Sequence, residues 1–537
     1  QNSIIKLTDM KKSHILFSTL FSLLTFSNAF GQTPDWAVRY NGPANKFDGT
    51  RAMTIDADGN IYVTGPSDGK KGNSDYATVK YDPSGEQKWV ARYNGTGNAD
   101  DYPYAIAVDG SGNVYVTGRS MGAGGNYDYA TVKYNSLGGQ EWVAPYNGQT
   151  NQIDMAKDVQ VDDLGNVYVT GLADGANTVY GSAYATIKYN SSGTQEWARR
   201  YDGTTGSEDA NSLAIDAAGS VYVTGRSNGI TTVKYDNDGV QQWVRTNAGT
   251  NGQKVLVDNL GNIVVTGWGS VTAKYNPSGE LLWETIYPYD AAFRDMALDN
   301  AGNVYVVGYN RENGTSDDYR TVKYDANGAQ QWSRGFNGSA NGIDLARAIA
   351  LDGNGNVYIT GQCVLKEGRN TNENYATVKY NNVGDVQWVR YYDGPEKSVD
   401  RGFDITVDGS GNVYVSGESA AKTSYFDFAT IKYSEGAATR SAITNPMAET
   451  SNIFQLRSFP NPFTRSTTIQ YNLLKEARVT LGVYDLLGQR VASLVNETKA
   501  AGTHQVSFST DHLPSGTYLC RFESGSFSRT EKLILLK

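Results

Sequence analysis

The chain has 537 residues, with 59 Gly, 37 Tyr, 13 Pro, 2 Cys and 3 His, and its formal net charge of −9 contains no block of like charge. An acidic, evenly charged surface argues against nucleic acid and anionic membranes as partners. Cys363 and Cys520 are too far apart in sequence and too few to build a disulfide scaffold.

Residues 1–9 precede Met10 and read as upstream sequence. Lys11 and Lys12 then give a basic start, residues 15–26 are apolar, and Ala29-Phe30-Gly31 places small residues where a signal peptidase reads. A secretory signal is expected over 10–31, cut after Gly31. The apolar run is shorter than the roughly 20 residues of a membrane span, and no transmembrane helix is expected in the mature protein.

Residues 32–434 repeat four phrases. An apolar run ending in Asp, such as "YAIAVD" to Asp109, precedes a glycine-led "GNVYVTG", which starts at Gly59, Gly112, Gly165, Gly219, Gly261, Gly302, Gly355 and Gly411. A "YATVKY" phrase and a Trp phrase follow. The unit length is 41–56 residues. Four short strands per repeat at this period indicate a β-propeller. The phrases resemble bacterial β-propeller repeats built around an "NVYVTG" strand, and the resemblance covers all eight units. It implies a secreted or surface protein and, by itself, no activity. The expected fold class is all-β: an eight-bladed β-propeller, or seven blades if one of the two short units does not form one. The first strand, at Trp36, precedes any complete unit, and the last unit lacks a Trp strand. The N-terminal strand is therefore expected to close the ring and remove an exposed edge.

"DGSGNVYVTG" at Asp109 tests as a site and fails. A dinucleotide loop needs a further glycine and a helix, but Tyr115 opens a strand pattern. A helix–loop–helix calcium loop needs Glu at its twelfth position, where the first copy has Ser67. Asp-x-x-Gly reads instead as a tight turn, with a turn-opening carboxylate first and a left-handed residue fourth. The repeated Trp are expected to pack between blades, and the Lys of "TVKY" to pair or snorkel at the blade ends.

These turns occupy one face and hardly vary, whereas loop length varies on the other face, where binding usually resides. Eight residues before the Asp of each inner strand stand Asp48, Asp101, Asp154, Glu208, Thr250, Ala291, Asp344 and Asp400. The six acids are expected at the start of the inner strands, around the channel mouth. They form either a ring for a cation such as calcium or a polyhydroxylated ligand, or separate caps for their own loops. No other metal site or cofactor is expected.

Residues 435–456 are small and polar and read as a linker. Residues 457–537 alternate apolar and polar positions between turn signals, as in a small antiparallel immunoglobulin-like sandwich. Pro460-Asn461-Pro462, Tyr484-Asp485, Gly488, Gly516, Tyr518 and the terminal "KLILLK" with Lys532 carry a second resemblance. It is to the type A C-terminal sorting domain of the type IX secretion system of Bacteroidetes-like bacteria. This resemblance implies type IX machinery as a partner, export, and a secreted or surface-anchored product. Two function classes remain: a scaffold binding an extracellular glycan or protein, and a secreted carbohydrate-active enzyme using rim carboxylates. The repeats contain no His, so histidine-based catalysis has no candidate there.

Overall fold

The computed structural model describes residues 34–149, 151–174, 181–203, 207–289, 291–311, 316–367, 370–422, 425–434, 456–459, 461, 463–473, 477–485, 489–500, 502–510, 513–524 and 527–536. The expected signal peptide at 10–31 and upstream residues 1–9 lie outside these residues, as do Pro460, Pro462, Gly488 and all of the linker but its last residue. The chain divides into two compact units, Gln1–Glu435 and Gly436–Lys537.

In the larger unit every described element is a β-strand. Six antiparallel sheets have four strands, and a seventh has eight, made of two four-strand ladders joined by the single pair Trp268 and Ala292. Each ladder runs in the order inner strand, "NVYVTG" strand, "ATVKY" strand and Trp strand. The short units over 209–247 and 251–286 each build all four. In Val114–Met121, the consecutive side chains Val114, Tyr115 and Val116 are all fully buried. Alternation is lost because the sheet packs against a neighbour on both faces.

The Asp-x-x-Gly segments are turns. Gly112 N–H donates to Asp109 O at 2.9 Å, with Gly112 at φ 78°. Asp109 Oδ1 accepts from Ser111 N and Asn113 N, and Oδ2 from Asn113 Nδ2 and Tyr115 Oη. Burial raises this carboxyl, but the Asn113, Tyr115 and Ser111 donors outweigh it and hold the group below the usual carboxylate range.

The tryptophans join each sheet to the next. Trp89 Nε1 donates to Ser136 O at 3.1 Å, and its ring lies 2.8 Å from where a Cβ would stand on Gly138. The same pairing holds from Trp36 with Pro83 O and Gly85 through Trp332 with Asn382 O and Gly384. Gly138 has φ 83°, so Gly138→Ala adds a left-handed backbone cost to a ring clash. It should cost about 2 kcal/mol, read as a lower urea midpoint. The lysines pack as snorkelling cations, with Lys80 Nζ 5.0 Å from the Tyr62 ring centroid and Lys133 paired to Glu141 at 2.9 Å.

Trp36–Tyr40 pairs antiparallel with Phe426–Tyr433 of the last unit, from Trp36 opposite Lys432 to Tyr40 opposite Phe428. Met53, Ile61 and Val63 of the first sheet share a core with Tyr414 and Phe428 of the last. The first strand of every ladder touches the first strand of the next, and Asp400–Val407 touches Ala52–Ile55. The smaller unit has a three-stranded and a four-stranded antiparallel sheet around a core that includes Ile469, Tyr471, Leu481, Val483, Phe522 and Leu533.

Candidate functional site

The six acids do not line an opening, which corrects their expected position at the channel mouth. Asp48, Asp101, Asp154 and Asp344 are 0 % exposed, and Glu208 and Asp400 are 1 % exposed. Each aspartate accepts a backbone N–H from a glycine six residues earlier: Gly42 at 2.8 Å, Gly95 at 2.7 Å, Gly148 at 2.6 Å, Gly338 at 2.5 Å and Gly394 at 2.8 Å. Asp101 also takes Met121 N at 2.9 Å and Asp344 takes Val364 N at 2.7 Å. Glu208 accepts from Ser227 Oγ at 3.2 Å. One carboxylate thus ties the link before an inner strand to the loop after "VTG". At the shortened link before Ala291 the tie is made by Ser270, whose hydroxyl accepts from Ala291 N at 2.8 Å. Burial pushes Asp48 and Asp400 up to about 6 and Asp344 up to about 7.

Glycoside hydrolysis needs two accessible carboxyls about 5–9 Å apart. These acids are enclosed and engaged by their own loops, so they are not placed for that chemistry. Among the described residues no three His, Cys, Asp or Glu are grouped to hold a metal ion.

A different set of side chains is brought together on the inner strands. In seven of the eight, the register against the neighbouring strand shifts at the residue five before the turn Asp. A bulge re-aims the side chain of its extra residue and recurs next to functional sites. The bulged residues include Tyr104, Lys157, Gln253, Arg294, Arg347 and Phe403, and Arg51 holds the same place in the first sheet.

One residue further along stand Asp158, Lys254, Asp295 and Asp404, where other units have Ala or Ser. Their carboxylates cap the unpaired edge of the next inner strand. Leu213 N donates to Asp158 at 2.9 Å, Ile349 N to Asp295 at 3.0 Å and Met53 N to Asp404 at 2.8 Å. Lys254 Nζ lies 4.0 Å from Asp295. Burial drives the Asp404 carboxyl up to about 6, against the pull of Met53 N. Burial works against the Lys254 charge, but Asp295, Asp158 and Asp404 overcome it and hold the ammonium above its ordinary value. This layer is a structural clamp that also carries charge.

These positions have a sequence signal. They are the places in the inner phrase where the copies disagree in charge, between Ala, Ser, Asp and Lys or between Arg, Tyr, Gln and Phe. The six acids agree from copy to copy because they perform the same backbone task in each.

In the smaller unit Asn461 bridges to the last strand: its Nδ2 donates to Lys532 O at 2.6 Å, and its Oδ1 accepts from Ile534 N at 2.9 Å. Tyr518 Oη donates to Pro514 O at 2.8 Å, and Asp485 Oδ1 accepts from Gln489 N at 2.9 Å. Tyr484 and Lys532 flank Leu519 on neighbouring strands, and Gly516 pairs with Leu535.

Residues 457–536 match the secretion system C-terminal sorting domain, and residues 88–126 and 387–422 match the β-propeller repeat. No curated protein matches the chain. Among solved structures, the chain is similar to BamB from Moraxella catarrhalis, with 13 % identity over 75 % of this chain and 99 % of that one and a TM-score of 0.43. It is also similar to the WD40 β-propeller domain of Doa1, with 11 % identity over 62 % of this chain and 92 % of that one and a TM-score of 0.40. The chain therefore carries β-propeller repeats and a type IX sorting domain, and it is secreted.

Proposed function

We propose that the eight ladders are the blades of one ring, closed by the N-terminal strand, and that this ring is a binding or structural scaffold for an extracellular glycan or protein. The immunoglobulin-like C-terminal unit delivers it through the type IX machinery, to be released or anchored at the outer cell surface. The observation that carries the reading is the contrast between the two faces. Asp-x-x-Gly turns of one length fill one, and loops of unequal length, six of the eight links carrying a buried carboxylate, fill the other. Rigidly seated variable loops are how a scaffold presents a recognition surface.

The test has two arms. Deleting 457–537 should leave the protein inside the cell, whereas the intact chain appears outside. The purified chain, screened with and without calcium against glycans and surface proteins, should bind at least one class. Export of the truncated chain would overturn the delivery route, and absence of any binding would overturn the scaffold reading.

A further inference from the structure

Three arginines at the bulged register have no carboxylate partner among the described residues. Arg51 Nη1 donates to the carbonyl of Thr50 at 3.0 Å. Arg294 Nη2 reaches only Tyr309 Oη, at 3.4 Å, and Arg347 Nη2 donates to Gln362 Oε1 at 2.8 Å. Nε of Arg294 and Nε of Arg347 are buried without a hydrogen-bond partner.

Two of them share one ring. The Phe403 ring lies 4.5 Å from the Arg347 guanidinium carbon and 5.7 Å from that of Arg51. Burial, and next the charge of Arg294, push the Arg347 guanidinium down to about 10. The nearby acid Glu418 is already taken by Arg401, at 3.2 Å. Like charges gathered without an ion pair of their own cost stability, and an oxyanion would relieve that cost through charge-assisted, forked hydrogen bonds. Other inner strands carry Tyr104 and Gln253 at this register, half-buried and uncharged, with polar ends suited to hydroxyl groups.

We propose that this arginine cluster is an anion site whose ligand is an acidic saccharide, with its carboxylate or sulfate on Arg294 and Arg347 and its hydroxyls toward Tyr104 and Gln253. This deepens the scaffold reading and rests on it. A peptide carboxylate would satisfy the arginines but would leave Tyr104 and Gln253 unused.

The purified full-length chain is titrated at low and physiological salt with a galacturonate oligomer, a sulfated galactan oligomer, a neutral glucan oligomer and an oligoglutamate peptide. One or both acidic saccharides should bind, more weakly as salt rises, and their ranking tells uronate from sulfate. Arg294→Gln combined with Arg347→Gln should weaken that binding at least tenfold. Lys88→Gln, exposed and on another strand, should leave it unchanged. Among the described residues neither arginine has an ion pair to lose, so the double variant should melt close to the parent. If it does melt lower, Arg347→Lys, which keeps the charge and removes the fork, should still lose affinity.

Preference for oligoglutamate overturns the saccharide class. Unchanged affinity in the arginine variants, or binding of the neutral glucan alone, overturns the anion site and leaves the scaffold reading standing. Failure to bind any glycan or surface protein in the wider screen overturns both.

Discussion

Arg39→Ala is expected to destabilise the propeller unit by about 3 kcal/mol and to loosen the seam between its two ends. Arg39 sits on Trp36–Tyr40, and its guanidinium donates to Ser419 Oγ at 3.1 Å and to the carbonyls of Ser419 and Ala420 at 2.9 Å each. It also pairs with Asp427 at 3.0 Å. Removing it strips the ion pair from Asp427, which is 6 % exposed. It also unties the two carbonyls. Arg92 is its counterpart in the first sheet, bonded to Ser67 O at 2.7 Å and Asp75 at 2.9 Å.

The two arginines do the same local work, but Arg92 bonds mainly within its own sheet, with one bond to Tyr40 Oη at 3.2 Å, whereas Arg39 joins residues some 380 positions apart. Arg92→Ala should therefore cost a similar amount but disturb the seam less, since only its bond to Tyr40 reaches the closing strand. Arg39→Ala should speed hydrogen exchange across Phe426–Tyr433, whose edge Trp36–Tyr40 covers. Equal and unchanged exchange there in both variants would sink the closing role.

Much of this fold was legible because each repeat states its turns, strands and tryptophan in fixed order. Asp109, Gly112 and Trp89 were readable for that reason: each acts within a few residues or against the identical part of the next copy. The missing Trp strand after Tyr433 and the extra one at Trp36 likewise pointed to their pairing. The candidate site was less legible. Asp101 and Asp344 stand out as recurring acids near a strand start, yet sequence does not show that a glycine six residues earlier folds back onto each carboxylate. Repetition across unequal loops signals a backbone duty. The informative residues were those in the inner phrase that break the repeat: Arg294 where another copy has Tyr104, and Asp404 where another has Ala105. Their convergence depends on bulges and on the circuit of inner strands, neither of which a single repeat encodes.

The propeller unit should be more stable at pH 5 than at pH 8. Asp48, Asp400 and Asp404 stand at about 6 and Asp344 at about 7, above the ordinary value of 3.8 that each regains on unfolding. A folded-state pKa that is raised means that the folded chain holds protons the unfolded chain releases. The stability these groups contribute is therefore fully present below pH 3.8 and is lost as pH rises through 6 to 7. Each tenfold difference in proton affinity between folded and unfolded chain is worth about 1.4 kcal/mol, so the four together weaken the fold by several kcal/mol over that window.

The turn acids act in the opposite sense. Asp109 and Asp352 are held below the usual range, so their contribution is present above pH 3.8 and is lost only as pH falls through their folded values. The two sets place the stability maximum in mild acid, near pH 4 to 5. Asp344→Asn fixes a neutral group where the largest rise occurs. It should leave the pH 5 melting temperature near that of the parent and reduce the fall between pH 5 and 8. A parent melting temperature that climbs from pH 5 to 8, or an Asp344→Asn curve parallel to the parent's, would show that these buried carboxylates are ionised throughout and that their loops are held by charge.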